Sequence, residues 1–207
     1  MGEFPLLLAP MEDVSDPPFR ALCKENGADV MYTEFISSEI VKAVNKPVTV
    51  KTRLGWDENS KYIVEVAERL QDVGIEAISI HGRTRKQMYK GQADWSLIAE
   101  VKNNPRIHIP VFGNGDVDSP ETALEKKNRY GVDGIMIGRA SIGYPWVFNE
   151  IKHFLKTAEH LAKPSLADRV EACRRHLEMA IEWKGPKLGV FETRRHYTNY
   201  FKGISHF

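Results

Sequence analysis

VFGNGDVDSPE, residues 111–121, is the stretch that decides the fold. An apolar run ends in Asn114-Gly115, a dipeptide that often closes a two-residue hairpin. A hairpin would need a returning strand at once. Instead Ser119-Pro120-Glu121 follows, with a capping residue, a proline for the first turn and an early acid, which together open a helix. The stretch therefore reads strand, loop, helix, and a strand that feeds a helix is recovered as a parallel neighbour after the crossover.

The same grammar runs outward in both directions. Upstream, short β-rich runs are expected at residues 6–11, 29–35, 47–53 and 76–81. Asp16, Pro17 and Gly27 mark the start and exit of a helix between the first two runs. Apolar residues at Ile63, Val66, Ala67 and Leu70 give residues 60–73 a helical period ending at Gly74. Residues 95–101 read as a further helix. Downstream, residues 133–138 (DGIMIG) read as a sixth strand. The apolar strands suggest burial on both faces, as in a parallel sheet. Strand–helix alternation implies an α/β fold, with a TIM-type (β/α)8 barrel the leading candidate and about six of its eight strands recognisable.

One interval is out of step. Only SSEIVKAVNK separates the second and third strands, whereas later strands start roughly 25 to 30 residues apart, an ordinary βαβ spacing. From Ser165 onward the strands stop. Ser165 caps a helix with apolar residues at Val170, Cys173, Leu177 and Ile181, and a second helix is expected from about 189 to 202. Lys163-Pro164-Ser165 reads as a linker, so the expected division is a barrel over residues 1–162 and a small helical domain over 163–207.

A net charge of +1 gives no whole-molecule pull toward nucleic acid or membrane, so any such binding must come from local clusters. Cys23 and Cys173 lack the spacing of a zinc site or disulfide framework, which fits a reduced, cytoplasmic setting and no metal. The first ten residues have no basic segment and an apolar run broken by Pro5, so no signal peptide is read there, and no apolar run is long enough for a transmembrane helix.

In βα barrels the C-terminal strand ends carry the chemistry. Here they present Met11 and Glu12, Glu34, Lys51 and Arg53, His81 and Arg83, Asn114 and Asp116, then Gly138 and Arg139. GNGD (113–116) and IGRA (137–140) have the glycines and following helices that suit a phosphate. Lys51 sits inside an apolar strand, where it either balances negative charge on a reduced flavin or pairs with Glu34. His81 either donates to a ligand or is a hydrogen-bonded rim histidine. Two basic stretches have aromatic company: Arg83, Arg85, Lys86 and Lys90 around Tyr89, and Arg194, Arg195 and Lys202 near Phe191, Tyr197 and Tyr200. Arg195, Asn199 and Lys202 are spaced to share one helix face. Such faces bind phosphate backbones, or are plain solvated surface.

The ordered motifs LAPMEDVSDPPFR, YTEFISSE, PVTVKTRLGWD, ISIHGRTR, VFGNGDV and GIMIGRA resemble those of the bacterial tRNA-dihydrouridine synthases over nearly the whole chain. The resemblance implies an FMN-binding (β/α)8 barrel followed by a helical tRNA-binding domain. It implies flavin-dependent reduction of uridine to 5,6-dihydrouridine in tRNA, with NADPH as reductant. It places Pro10, Met11 and Glu12 against the isoalloxazine, Lys51 on the flavin, and His81 and Arg83 beside it. Asn114, Gly115, Asp116, Gly138 and Arg139 become the FMN phosphate grip, and Arg85, Lys86, Arg194, Arg195 and Lys202 face tRNA. A monomer is expected.

The departures have their own implications. In the family two further βα units lie between the YTEF and VKTR strands, one carrying a flavin-contacting glutamine and the other the cysteine that protonates uridine. Neither has a counterpart here; the seam falls near residues 38–41, and the helical domain stops early. No residue is assigned as the catalytic acid, and Cys23 reads as a buried structural thiol. The alternative expectation is a catalytically impaired deletion variant that keeps only FMN or tRNA binding.

Overall fold

The computed structural model describes residues 4–11, 14–32 and 47–204. In chain order the elements are β1 (Leu6–Leu8), α1 (Pro17–Glu25), β2 (Val30–Met31), β3 (Thr49–Arg53), α2 (Ile63–Asp72), β4 (Ala77–His81), α3 (Ser96–Asn103), β5 (Val111–Asn114), α4 (Pro120–Tyr130), β6 (Gly134–Ile137), α5 (Val147–Thr157) and α6 (Leu166–Tyr200). A 3₁₀ turn, Arg139–Ser141, follows β6. The fold class is α/β, the βα repeat of the TIM-type (β/α)8 kind, with six strands among the described residues. The chain forms two compact units.

The first unit comprises Met1–Pro5, Phe35–Val117 and Glu121–Ile137. Its strands β3, β4, β5 and β6 pair side by side, all parallel. Parallel pairing on both flanks of β5 excludes the Asn114-Gly115 hairpin. On one face, Ile78, Ile80, Ile135 and Ile137 are buried, as are Ile98 and Val101 of α3 and Ile63 and Ala67 of α2. Asp133 fixes the start of β5: its carboxylate accepts from Val111 N at 2.8 Å and pairs with Lys102 Nζ of α3 at 2.7 Å.

The second unit comprises Leu6–Glu34, Asp118–Pro120 and Gly138–Phe207. β1 and β2 pair in parallel, Leu7 with Val30 and Leu8 with Met31. The α1 start is as read: Asp16 accepts from Phe19 N, and Pro17 begins the helix, where its missing N–H costs nothing. Ser165 caps α6 in a reciprocal capping box with Asp168.

Two helical expectations need correction. The two expected helices are both present, separated at Gly185 (φ 79°, ψ 166°), but the second arm begins at Pro186 rather than near 189. It ends at Tyr200, which leaves Lys202 in the turn beyond it and off the helical face proposed with Arg195 and Asn199. The arms fold back on each other as a hairpin. Arg169 Nη1 donates to Lys202 O at 3.1 Å, and a Cβ on Gly189 would lie 2.6 Å from Ala180 O. Helix α5 has no counterpart in the sequence reading.

Candidate active site

Side chains alternate across a strand, so register decides which ones share a face. Lys51 pairs with Ser79 and Arg53 with His81; Ser79 pairs with Phe112 and His81 with Asn114. One face of the first unit's sheet thus carries a polar row, Arg53–His81–Asn114, at the C-terminal strand ends. Lys51 and Ser79 lie one row below. The opposite face is the apolar one.

His81 is 7% exposed. Burial, then the charges of Lys51, Arg53 and Arg83, pushes its pKa down to about 3, with Asp116 opposing. The imidazole is neutral at pH 7. Its Nε2 stands 3.5 Å from Arg83 Nη1, and an arginine only donates, so Nε2 accepts and Nδ1 keeps the proton. Lys51 is drawn down to about 8 by burial and, secondarily, by Arg53. Among the described residues no carboxylate pairs with Lys51, and Glu34 lies outside them. Arg53 donates to the carbonyls of Thr84 at 3.1 Å and Met88 at 3.2 Å, holding the next loop.

Arg83 is nearly enclosed, and its donors point inward. Nη2 reaches both Asp116 oxygens at 2.8 Å and Gly91 O at 2.6 Å, while Nε reaches Lys90 O at 3.3 Å. Asp116 also accepts from Ala93 N at 2.7 Å. These bonds hold Asp116 at φ 53°, a left-handed conformation that few non-glycine residues adopt. Its carboxylate is therefore committed to Arg83. Gly115 has φ 126°, and a Cβ there would stand 2.6 Å from Ala93 Cβ, so glycine is required. Its carbonyl accepts from Trp95 Nε1 at 2.9 Å, and Asn114 Nδ2 donates to Met136 O at 2.7 Å. Trp95, which the sequence reading placed only in a helix, is thus the strut beneath the GNGD loop. Arg85 and Lys86 are exposed, with Lys86 paired to Asp57 at 2.9 Å.

In the second unit, Pro10 and Met11 follow β1 in a turn held by Ser15. Its hydroxyl donates to Ala9 O and accepts from Met11 N, both at 2.9 Å. Gly138 lies beside this turn, since a Cβ on it would be 3.6 Å from Met11 Sδ. Ser141 Oγ donates to Gly138 O at 2.7 Å and closes the 3₁₀ turn that carries exposed Arg139. Arg194 and Arg195 are exposed on the second arm of α6, Arg194 with its guanidinium 5.8 Å from the Phe191 ring. Glu12 lies outside the described residues. Cys23 is fully buried and burial pushes its thiol up, as it does that of Cys173. Neither is placed as a proton donor.

The dihydrouridine synthase family model matches residues 7–40 and 36–206. This chain belongs to that family. The two matched segments meet at residues 36–40, in the interval where the strand spacing is short. A probable tRNA-dihydrouridine synthase 1 of Synechocystis sp. is 43% identical over 190 residues, covering 89% of this chain and 53% of that protein. The tRNA-dihydrouridine synthase B of Pseudomonas aeruginosa is 40% identical over 184 residues, covering 86% and 55%. The chain thus spans about half the length of the curated relatives it matches. Among the described residues no helix is long and apolar enough to cross a membrane.

Proposed function

We propose that this chain acts in the FMN-dependent reduction of uridine to 5,6-dihydrouridine in tRNA, with NADPH as reductant, in the cytoplasm and as a monomer. The observation that carries the reading is the polar sheet face, where Lys51 and a neutral His81 stand without a described carboxylate beside Lys51. The donors fit an anionic, hydrogen-bonding ring system. Bound FMN supplies the hydride chemistry between NADPH and C6 of uridine.

The protein's part is to hold, orient and polarise. Lys51 sets a positive charge against negative charge on the flavin ring. His81 offers the Nδ1 proton as a hydrogen-bond donor without adding charge. In the same unit Asn114 and Gly115 serve the phosphate loop, while Arg83 and Asp116 keep that loop in shape. In the second unit Gly138 and Arg139 serve the phosphate, and Pro10, Met11 and Glu12 the ring. Arg85, Lys86, Arg194, Arg195 and Lys202, with residues 163–207 as a helical RNA-binding segment, meet the tRNA backbone. A uridine must leave its stack to be reduced at a ring carbon.

The test is to incubate the purified chain with unmodified tRNA, FMN and NADPH and to measure dihydrouridine by mass spectrometry. Flavin absorbance of the protein is recorded in parallel. Dihydrouridine that depends on FMN and NADPH is expected. Absence of both flavin binding at millimolar FMN and product overturns the reading.

A further inference from the structure

Two loops of the first unit are joined backbone to backbone beyond β3 and β4. Leu54 N donates to Arg83 O at 3.3 Å, Arg85 N to Gly55 O at 2.9 Å, and Lys86 N to Trp56 O at 2.9 Å. The Arg53 guanidinium bridges to Thr84 O and Met88 O, and Lys86 pairs with Asp57. Thr84 closes the second loop on itself: its N–H donates to Gln87 Oε1 at 2.7 Å, and its hydroxyl accepts from Gln87 N at 3.2 Å. The product is a braced ledge just outside Lys51 and His81.

This ledge holds large apolar side chains in water. Trp56 is 61% exposed, Tyr62 61%, Tyr89 57% and Met88 51%. Exposed apolar area of this size, concentrated in two braced loops, marks a binding surface more than a scatter of single residues does. The charges around it say what kind. Setting aside the internal Arg83–Asp116 pair, residues 53–62 and 83–94 contain five cations (Arg53, Lys61, Arg85, Lys86, Lys90) and three acids (Asp57, Glu58, Asp94). Arg85 and Lys90 are exposed at the rim, while Lys61 and Lys86 are held by the acids. Flat rings with a modest cationic surplus suit a partner with ring faces and dispersed negative charge. Unpaired RNA has both; an A-form duplex hides its ring faces in the stack.

We propose that this ledge is a stacking platform for unpaired bases of an RNA loop, with Trp56 and Tyr89 against the bases and Arg85 and Lys90 at the flanking phosphates. The proposal rests on the RNA-substrate reading above and adds the mode of recognition: the ledge selects unpaired bases next to the reacting strand ends. A surface for a second protein, or for a second copy of this chain, is the competing use.

The experiment measures binding of three fluorescent probes by anisotropy at fixed salt: unmodified tRNA, a short single-stranded RNA, and a blunt RNA duplex. The wild-type chain is compared with Trp56→Ala, Tyr89→Ala and the conservative Trp56→Phe. Both positions are more than half exposed, so the variants are expected to unfold at the wild-type temperature, checked by circular dichroism. Stacking on one base corresponds to about 5- to 150-fold in affinity. Each alanine variant is expected to weaken single-strand and tRNA binding within that range and to leave duplex binding within about twofold, while Trp56→Phe keeps most of the wild-type affinity. Unchanged single-strand affinity in both alanine variants overturns the platform, even where wild-type tRNA binding and dihydrouridine formation stand. So does a loss of self-association in those variants, followed by sedimentation, without a change in RNA affinity. A wild-type chain that forms dihydrouridine yet binds single strand and duplex equally also overturns it. Failure of the underlying reading shows separately, as absence of flavin binding and of product.

Discussion

Lys51 and the Arg83–Asp116 pair illustrate two uses of charge. Burial and Arg53 lower the Lys51 pKa to about 8. An anionic ligand beside it favours the ammonium and raises that value, so binding takes up a proton once the pH exceeds about 8. FMN affinity is therefore expected to hold steady near pH 7 and to fall as the pH rises through 8 toward 9.5. Lys51→Met should flatten this dependence and weaken FMN by about 10- to 100-fold, the range of one hydrogen bond to a charged group. Titration by flavin fluorescence from pH 6.5 to 9.5 checks both, and a flat wild-type profile removes Lys51 from the flavin. Arg83 has the opposite character: its guanidinium is enclosed and its partner lies 33 residues away. Asp116→Asn leaves that charge without a counterion, a change that typically costs about 3–5 kcal/mol. Urea unfolding should show a loss of that order. Adding Arg83→Met to Asp116→Asn removes the unpaired charge, keeps a residue suited to the left-handed backbone, and should recover part of it. The sequence made Asp116 a phosphate residue because its local motif said so. Its pairing with Arg83 depends on the register of β4 and β5, which no local pattern contains.

Elements were legible where the chain punctuates them. Asp16-Pro17 and Ser165 announce α1 and α6 in side-chain chemistry, and both caps form. The GNGD segment reads correctly because Ser-Pro-Glu closes off the hairpin. Helix α5 has apolar residues at helical spacing, Val147, Phe148, Ile151 and Phe154, but neither end is punctuated. Its N-cap is Trp146 with no side-chain bond, and its C-cap is Ala158 in the left-handed region. The second arm of α6 starts three residues earlier than its apolar spacing suggests, because Gly185-Pro186 is a stop followed by a proline start. The hairpin's close crossing yields its own prediction. A Cβ at Gly189 would meet Ala180 O at 2.6 Å and Ile181 N at 2.7 Å, backbone atoms that cannot rotate aside. Gly189→Ala should push the arms apart despite alanine's better helix propensity, with a net loss of about 1–3 kcal/mol, the usual range for overpacking. Thermal unfolding followed by helical circular dichroism measures it. A variant as stable as wild type means that the arms do not cross this closely.

Across the whole molecule, the sequence conveyed the α/β repeat and the strand-end residues, since both rest on periodicity and local motifs. It singled out His81 at a strand end but conveyed nothing of the burial of His176 and His196. His81 lies in the first unit; His176 and His196, 1% and 3% exposed, lie in the second. The latter two rings meet edge to face at 4.5 Å and pack on Phe19. His176 Nδ1 is 3.2 Å from Tyr200 OH, while His196 Nδ1 has no hydrogen-bond partner among the described residues. Burial pushes both below the ordinary histidine value; Asp16 opposes this at His176, and His176 and Arg195 add to it at His196. The unfolded chain titrates its histidines near 6.5, so between 6.5 and the lowered folded values it binds protons that the folded chain refuses. The stability of the neutral folded state is full above 6.5 and is lost as the pH falls toward the folded values. For His81, at about 3, the loss by pH 5 is about 2 kcal/mol, and the other two add in the same direction. Carboxylates ordinarily titrate lower, so urea unfolding between pH 7 and 5 isolates the histidines. The unfolding free energy should drop steeply over that window. His196→Phe, which keeps a ring in the cluster and removes the unpartnered nitrogen, should make the slope shallower. An unchanged slope in that variant would mean that His196 is already protonated, or solvated, in the folded chain.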